Sequence, residues 1–245
     1  MQKKCKISSL KKVYPMEAGE NVIFDDFSLE FPLEGITVFL GKSGCGKTTL
    51  IRLMAGLEEF EAGKIEFLTE EGEKFNPKIG MVFHEARLLP WKSVLDNVLI
   101  HQDKKEPEKA IELLKKIGLG DFINAYPDDL SGGMAARVAI ARALSYEPSL
   151  LIMDEPFAAL DYFTRLNMEE EVIKLVQEKK IGIVFITHDL DEALILAKKI
   201  VVLKKGESAW EYELKQEYPR DLFSLELKEL KEELLKMLED GGEKK

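Results

Sequence analysis

One stretch constrains the fold more than any other. Residues 41–48 read GKSGCGKT, which fits the pattern G-x-x-x-x-G-K-[ST]. The apolar run ITVFL precedes it, and a helical pattern over 47–57 follows it. A strand, a glycine-rich turn and a helix in that order make a phosphate cradle. The N–H groups of the turn face inward, and the helix N-terminus adds partial positive charge. Gly44 and Gly46 let the backbone curl. Gly41, Lys42, Ser43, Cys45 and Thr49 complete the lining, with Cys45 filling space beside the loop. Lys47 reaches the β- and γ-phosphates, and the Thr48 hydroxyl suits Mg²⁺. An ordinary glycine-rich surface turn would need neither flank.

The remainder of the chain supplies a matching scaffold. Short β-branched runs lie at 36–42, 79–84, 150–155, 181–188 and 199–206, and helical patterns lie at 47–57, 107–117, 132–145, 162–179 and 189–198. Strands apolar on both faces, alternating with helices, predict an α/β architecture with a parallel sheet. Before residue 36 the texture changes. KISSLKKVY and VIFDDFSLEF read as antiparallel strands, with KIEFL (64–68) as a companion. Residues 84–145 carry helical signals and read as an inserted helical subdomain. The expected division is therefore a core of 1–83 and 146–205, a helical subdomain of 84–145, and a tail of 206–245. In the tail, Leu227, Leu230, Leu234 and Leu238 define one amphipathic helix.

Two further sites follow from the same logic. LLIMDE ends a buried-type strand at Asp154 and Glu155, and ligands of doubly wound sheets gather at the carboxyl ends of strands. Asp154 is placed to hold Mg²⁺, directly or through water. Glu155 is placed to orient or deprotonate an attacking water. His188 closes the similar strand IVFITH and could touch the γ-phosphate; a structural histidine is the alternative. LSGGM (130–134) precedes a run of small apolar residues. Ser131 reads as an N-cap, and Gly132 and Gly133 permit close approach of a ligand, which makes a second anion site at a helix start.

Bulk properties bound the partners. The 245 residues carry a net charge of −10 and only two cysteines, Cys5 and Cys45. The negative balance argues against nucleic acid. The cysteines have no metal-ligand spacing. No apolar run approaches the roughly 18 residues of a membrane span, and the basic N-terminus lacks the apolar core of a signal peptide. A cytosolic chain is expected.

Together these features resemble the ATP-binding subunits of ABC transporters, over nearly the whole chain. GKSGCGKTT looks like the Walker A loop, LSGGM the family signature, LLIMDE the Walker B strand, AALD (158–161) the D-loop and ITHD (186–189) the switch histidine. The resemblance implies a P-loop NTPase core, ATP and Mg²⁺ as ligands, and catalysis by Glu155, His188 and Lys47. It implies an ATP-bound homodimer, head to tail, in which Ser131 and Gly133 of one subunit complete the site around Lys47 of the other. Asp161 would line that site. Tyr14 sits where the family stacks an aromatic ring on adenine; a core tyrosine is the other reading. Two transmembrane permease subunits, an extracytoplasmic solute-binding protein and a place on the inner face of the cell membrane are implied as well.

ARLLPWKSVLDNV (86–98) and YPRDLFSLELKELKEELL (218–235) are similar to the nitrate, sulfonate, taurine and thiamine-precursor importers. In that group Leu88, Leu89, Pro90 and Trp91 would lie near the permease's coupling helix; the alternative packs Trp91 inside the helical subdomain. Two positions depart from the family pattern. Met134 stands where the signature usually ends in Gln, with little expected effect. His84 stands where the family has a glutamine near Mg²⁺ and the attacking water. An amide oxygen is a hard ligand for Mg²⁺, whereas imidazole nitrogen is a poor one. His84 is therefore expected to keep the water-side role and to contact metal weakly or not at all.

The leading function is an ATPase that drives import. A soluble ABC ATPase of translation or DNA repair is the second reading, disfavoured by a single ATPase unit and no basic excess. A regulatory subunit with weak hydrolysis is the third; Glu155 opposes it and His84 keeps it open. The transported solute is not encoded in this chain.

Overall fold

The computed structural model describes residues 3–17, 19–102, 106–179, 181–206 and 209–239. In chain order the strands are β1 (Lys4–Met16), β2 (Gly19–Pro32), β3 (Gly35–Leu40), β4 (Ala62–Leu68), β5 (Ile79–Val82), β6 (Leu150–Asp154), β7 (Gly182–Thr187), β8 (Lys199–Val202) and β9 (Trp210–Glu213). The helices are α1 (Lys47–Met54), α2 (Val94–Val98), α3 (Pro107–Lys116), α4 (Gly132–Ser145), α5 (Tyr162–Lys179), α6 (Leu190–Leu196) and α7 (Leu225–Glu239). The chain forms two compact units, Met1–Asn76 with Val176–Lys245, and Pro77–Leu175.

In the first unit β1 pairs antiparallel with β2 on one side and β4 on the other. Cys5 and Ile7 point inward with a period of two, but Leu10 is also fully buried. The register shift between Ile7 and Leu10, with Ser9 at φ 46°, supplies the extra residue that returns Leu10 to the core face. Burial pushes the Cys5 thiol up to about 12. β3 lies parallel to β7 and to β8, and residues Ile36–Leu40 are all buried. A strand covered on both faces has no polar side to show, which explains the continuous apolar run. β9 runs antiparallel along β8. The sequence reading placed no strand there, because WEYE is short and lies in a charged tail.

Behind this sheet α7 follows the expected leucine spacing, with Leu227 and Leu234 buried. Lys231 pairs with Asp191 of α6 at 2.5 Å, and the Tyr212 hydroxyl of β9 donates to Glu233 at 3.0 Å.

In the second unit β5 and β6 are parallel, and β6 is buried along its whole length. Val94, Val98, Leu114, Leu119, Val138 and Ala141 pack one core from α2, α3, α4 and the turn at 120–122. Among the described residues of 84–145 there is no strand.

Candidate functional site

The first unit carries the phosphate loop. Gly44 at φ 80° and Gly46 at φ 107° occupy the left-handed region that side chains avoid. For Gly46 space matters too: a Cβ would lie 2.8 Å from Ile23 Cγ2 and 2.9 Å from Phe24 Cζ. At Gly41 it would meet the Leu203 carbonyl oxygen at 2.5 Å. The loop therefore holds a curl that larger residues would break. Lys47, only 6% exposed, donates to the carbonyls of Gly41 at 2.7 Å and Lys42 at 3.1 Å. Those two bonds hold its ammonium within the loop. Cys45 is buried beside it.

Strand register then places the histidine. Leu40 is level with Thr187, the last pair between β3 and β7, and exposed His188 follows Thr187 as Gly41 follows Leu40, past the carboxyl ends of adjacent strands. The turn is fixed from below. Thr187 Oγ1 donates to buried Glu192 at 2.6 Å and accepts from Asp189 N at 2.9 Å, and the Asp189 carboxylate caps α6 through Asp191 N at 2.8 Å. Tyr14 is half-buried at the end of β1 rather than in the core. Its hydroxyl bonds Glu58, and the Lys12 ammonium lies 4.6 Å from the ring centroid. Burial first, then the bond to Glu58, raises its pKa above the usual tyrosine value.

The second unit carries the acidic strand end. Asp154 closes β6 and is 6% exposed. Glu155 follows at φ 46°, a left-handed position that costs on the order of 1–3 kcal/mol for a non-glycine residue and marks functional turns. In the β5–β6 pair Val82 is level with Met153, the last pair of the register, and exposed His84 lies two residues beyond it. Beyond His84 the chain runs irregularly to Trp91, which is 71% exposed; the packed alternative for that ring does not hold.

The signature segment lies in the same unit. Ser131 Oγ accepts from Met134 N at 3.3 Å and caps α4. Gly133 sits against the stretch that leads to Asp161: a Cβ there would lie 3.2 Å from Leu160 Cδ2 and 3.5 Å from the Ala159 carbonyl oxygen. Asp161 accepts from Thr164 N at 3.1 Å at the start of α5, and that bond to Thr164 holds its carboxyl below the usual range.

Thr48 carries a hydroxyl in the first turn of α1 in the first unit, and Asp154 a carboxylate at the end of β6 in the second; each is a hard oxygen of the kind Mg²⁺ takes. Mg²⁺ is commonly held by one or two protein ligands together with substrate phosphates.

Comparison with known proteins identifies the lineage. The family described as ABC transporter matches residues 24–158, more than half of the chain. The chain belongs to the ABC transporter family. Across 241 residues it is 36% identical to a protein named aliphatic sulfonates import ATP-binding protein from Bacillus thuringiensis subsp. konkukian, covering 96% of each chain. The Escherichia coli (strain K12) protein of the same name is 37% identical over 225 residues, 92% of this chain and 88% of its own. An ABC transporter ATP-binding protein of Methanocaldococcus jannaschii is 38% identical over 248 residues, 98% and 93%. A solved dimeric ATP-binding cassette in a post-hydrolysis state, bound to ADP and Pi, superposes with a TM-score of 0.76 at 30% identity, over 87% of this chain and all of that one. The mixed parallel and antiparallel α/β fold is thus that of ABC ATPase cassettes.

Two residues escaped the sequence reading of this ABC chain. Asn97 is fully buried and bonds the 89–93 turn. Arg142 binds the carbonyls of Ala86 and Arg87. An arginine amid AIARAL, on an otherwise apolar helix, was the available signal.

Proposed function

We propose that this chain is the ATP-hydrolysing subunit of an ABC importer, peripheral on the inner face of the cell membrane and joined to two permease subunits. The folded phosphate loop carries this reading, with Lys47 held at its centre and Gly44 and Gly46 in left-handed backbone. Full-length similarity to proteins named as import ATP-binding subunits supports it. Among the described residues no helix is long and apolar enough to cross a membrane, so transport by this chain needs a membrane-spanning partner. The solute class favoured by the relatives is an organic sulfonate, delivered by an extracytoplasmic binding protein.

In this mechanism the loop N–H groups and Lys47 bind the β- and γ-phosphates. Thr48 and Asp154 would hold Mg²⁺, which would supply neutralisation of the phosphate charge. Tyr14 stacks against the adenine. Glu155 orients the attacking water and takes its proton, His84 borders that water, and His188 faces the γ-phosphate. Ser131, Gly132, Gly133 and Asp161 close over the nucleotide of a second copy. Residues 84–145 form the subdomain that carries this signature, and 1–83 with 146–205 form the nucleotide core.

Co-expression with a permease of the sulfonate-importer type, reconstitution with its binding protein, and assay of ATP turnover and alkanesulfonate uptake test the proposal. Turnover and uptake together, both lost in Glu155→Gln, are expected. Full turnover by a chain that associates with no membrane protein would refute it.

A further inference from the structure

The segment between His84 and Ser93 has no regular structure, yet two side chains fix its backbone. Arg142, near the C-terminal end of α4, donates from Nη1 to the Arg87 carbonyl and from Nη2 to the Ala86 carbonyl, each at 2.8 Å. Asn97, 0% exposed, accepts from Leu89 N at 2.8 Å. Its amide nitrogen donates to the carbonyls of Leu89 at 3.1 Å, Lys92 at 3.0 Å and Ser93 at 3.0 Å. Asn97 holds the LPWKS turn from α2, while Arg142 holds the stretch between His84 and that turn. Arg87 itself sits at φ 46°, a conformation that persists only where the surroundings over-determine it. A planar guanidinium can satisfy two successive carbonyls at once, and an ammonium cannot reproduce that fork.

We infer that Arg142 is a positioning residue that ties the signature helix α4 to residues 84–91, so that displacement of the LSGGM end is carried to His84 and to the Leu88–Trp91 surface. This rests on the proposed function, in which that surface meets the permease. The geometry explains why one side chain suffices. Helix α4 is a rigid rod whose first residues present the signature and whose last turns carry Arg142. A shift at one end moves the other, and the two 2.8 Å bonds deliver it to the loop backbone. Asn97 keeps the turn itself from deforming, so the motion arrives at Trp91 undiminished. Burial lowers the Arg142 pKa from its ordinary value, in keeping with a guanidinium enclosed between helix and loop.

Trp91 reports on the joint directly. The chain has two tryptophans, so Trp210→Phe leaves Trp91 as the sole emitter. In the full chain, Arg142→Gln should lower Trp91 anisotropy about twofold, and Arg142→Lys should fall between the two. In the complex co-purified with its permease, the ratio of complex to free-chain ATP turnover should fall about threefold, as coupling residues commonly do, with KM for ATP unchanged. Unaltered Trp91 mobility in Arg142→Gln would overturn the inference at the joint. A loosened Trp91 with an intact turnover ratio would overturn the transmission. Trp91→Ala separates these from failure of the functional reading: if it leaves permease association untouched, the assignment of the surface is what fails. Should Arg142→Gln not fold, Arg142→Lys carries the same comparisons.

Discussion

Lys47 is held ready by the loop it serves. Its ammonium bonds the carbonyls of Gly41 and Lys42, so it is ordered before any phosphate arrives. Lys47→Ala should weaken MgATP binding about 10- to 100-fold, the worth of one charge-assisted contact. Titration calorimetry that found wild-type affinity would remove residues 41–48 from the site. His84 poses a different question, since it follows the carboxyl end of β5 as Glu155 follows that of β6. His84→Gln should preserve turnover in the complex while lowering the Mg²⁺ concentration needed for half-maximal rate, because an amide oxygen is the better Mg²⁺ ligand. An identical Mg²⁺ dependence in both proteins would show that the ring takes no part near the metal. At this scale the sequence was most legible where chemistry is local. The phosphate loop, the Ser131 cap and the strand-end carboxylates each depend on a few consecutive residues. Arg142 and Asn97 were not legible, because their partners are carbonyls, which have no identity in a sequence. The left-handed backbone at Glu155 is invisible for a related reason: nothing in the residue type announces it.

Among the elements, the tail shows what pattern reading can and cannot deliver. Leucine spacing announced α7, and Leu227 and Leu234 are buried as that spacing requires. β9 was missed, because an edge strand of alternating Trp, Glu, Tyr and Glu is paid for by its neighbour β8 rather than by its own propensity. The two elements meet at Tyr212, whose hydroxyl bonds Glu233 at 3.0 Å. Burial first, then the bond to Glu233, pushes the Tyr212 pKa up to about 12. A folded-state pKa above the ordinary tyrosine value near 10 means that the protonated hydroxyl is the stabilised form. The contact is then complete below about pH 10 and is lost as pH rises through about 12. Thermal melts followed by far-ultraviolet circular dichroism at pH 9 and above 11 should show a larger drop in Tm for wild type than for Tyr212→Phe. Equal drops would mean that the hydroxyl does not hold α7. The bulge in β1 is likewise tertiary in origin: Leu10 is brought inside by a register shift that no local preference at Ser9 dictates.

At the scale of the whole molecule the candidate site residues fall into two sets. Lys47, Tyr14 and His188 belong to one compact unit, and Asp154, Glu155, His84, Ser131 and Asp161 to the other. The signature segment presents Ser131 and Gly132 at an exposed surface, as a surface built to meet another molecule would. The solved relative bound to ADP and Pi is a dimer. Legibility at this scale came from the order of motifs along the chain, which fixed the family. Solute and permease were unreadable, because no residue pattern in this chain announces either. The proposed mechanism requires ATP to hold two copies together through a site that neither copy completes alone. Light scattering on Glu155→Gln, which should bind MgATP without turning it over, tests this most directly, with the permease complex as the parallel sample. A dimer is expected with saturating MgATP and a monomer with ADP. A monomer under both conditions, with nucleotide bound and no ATP-dependent closure in the complex, would contradict it.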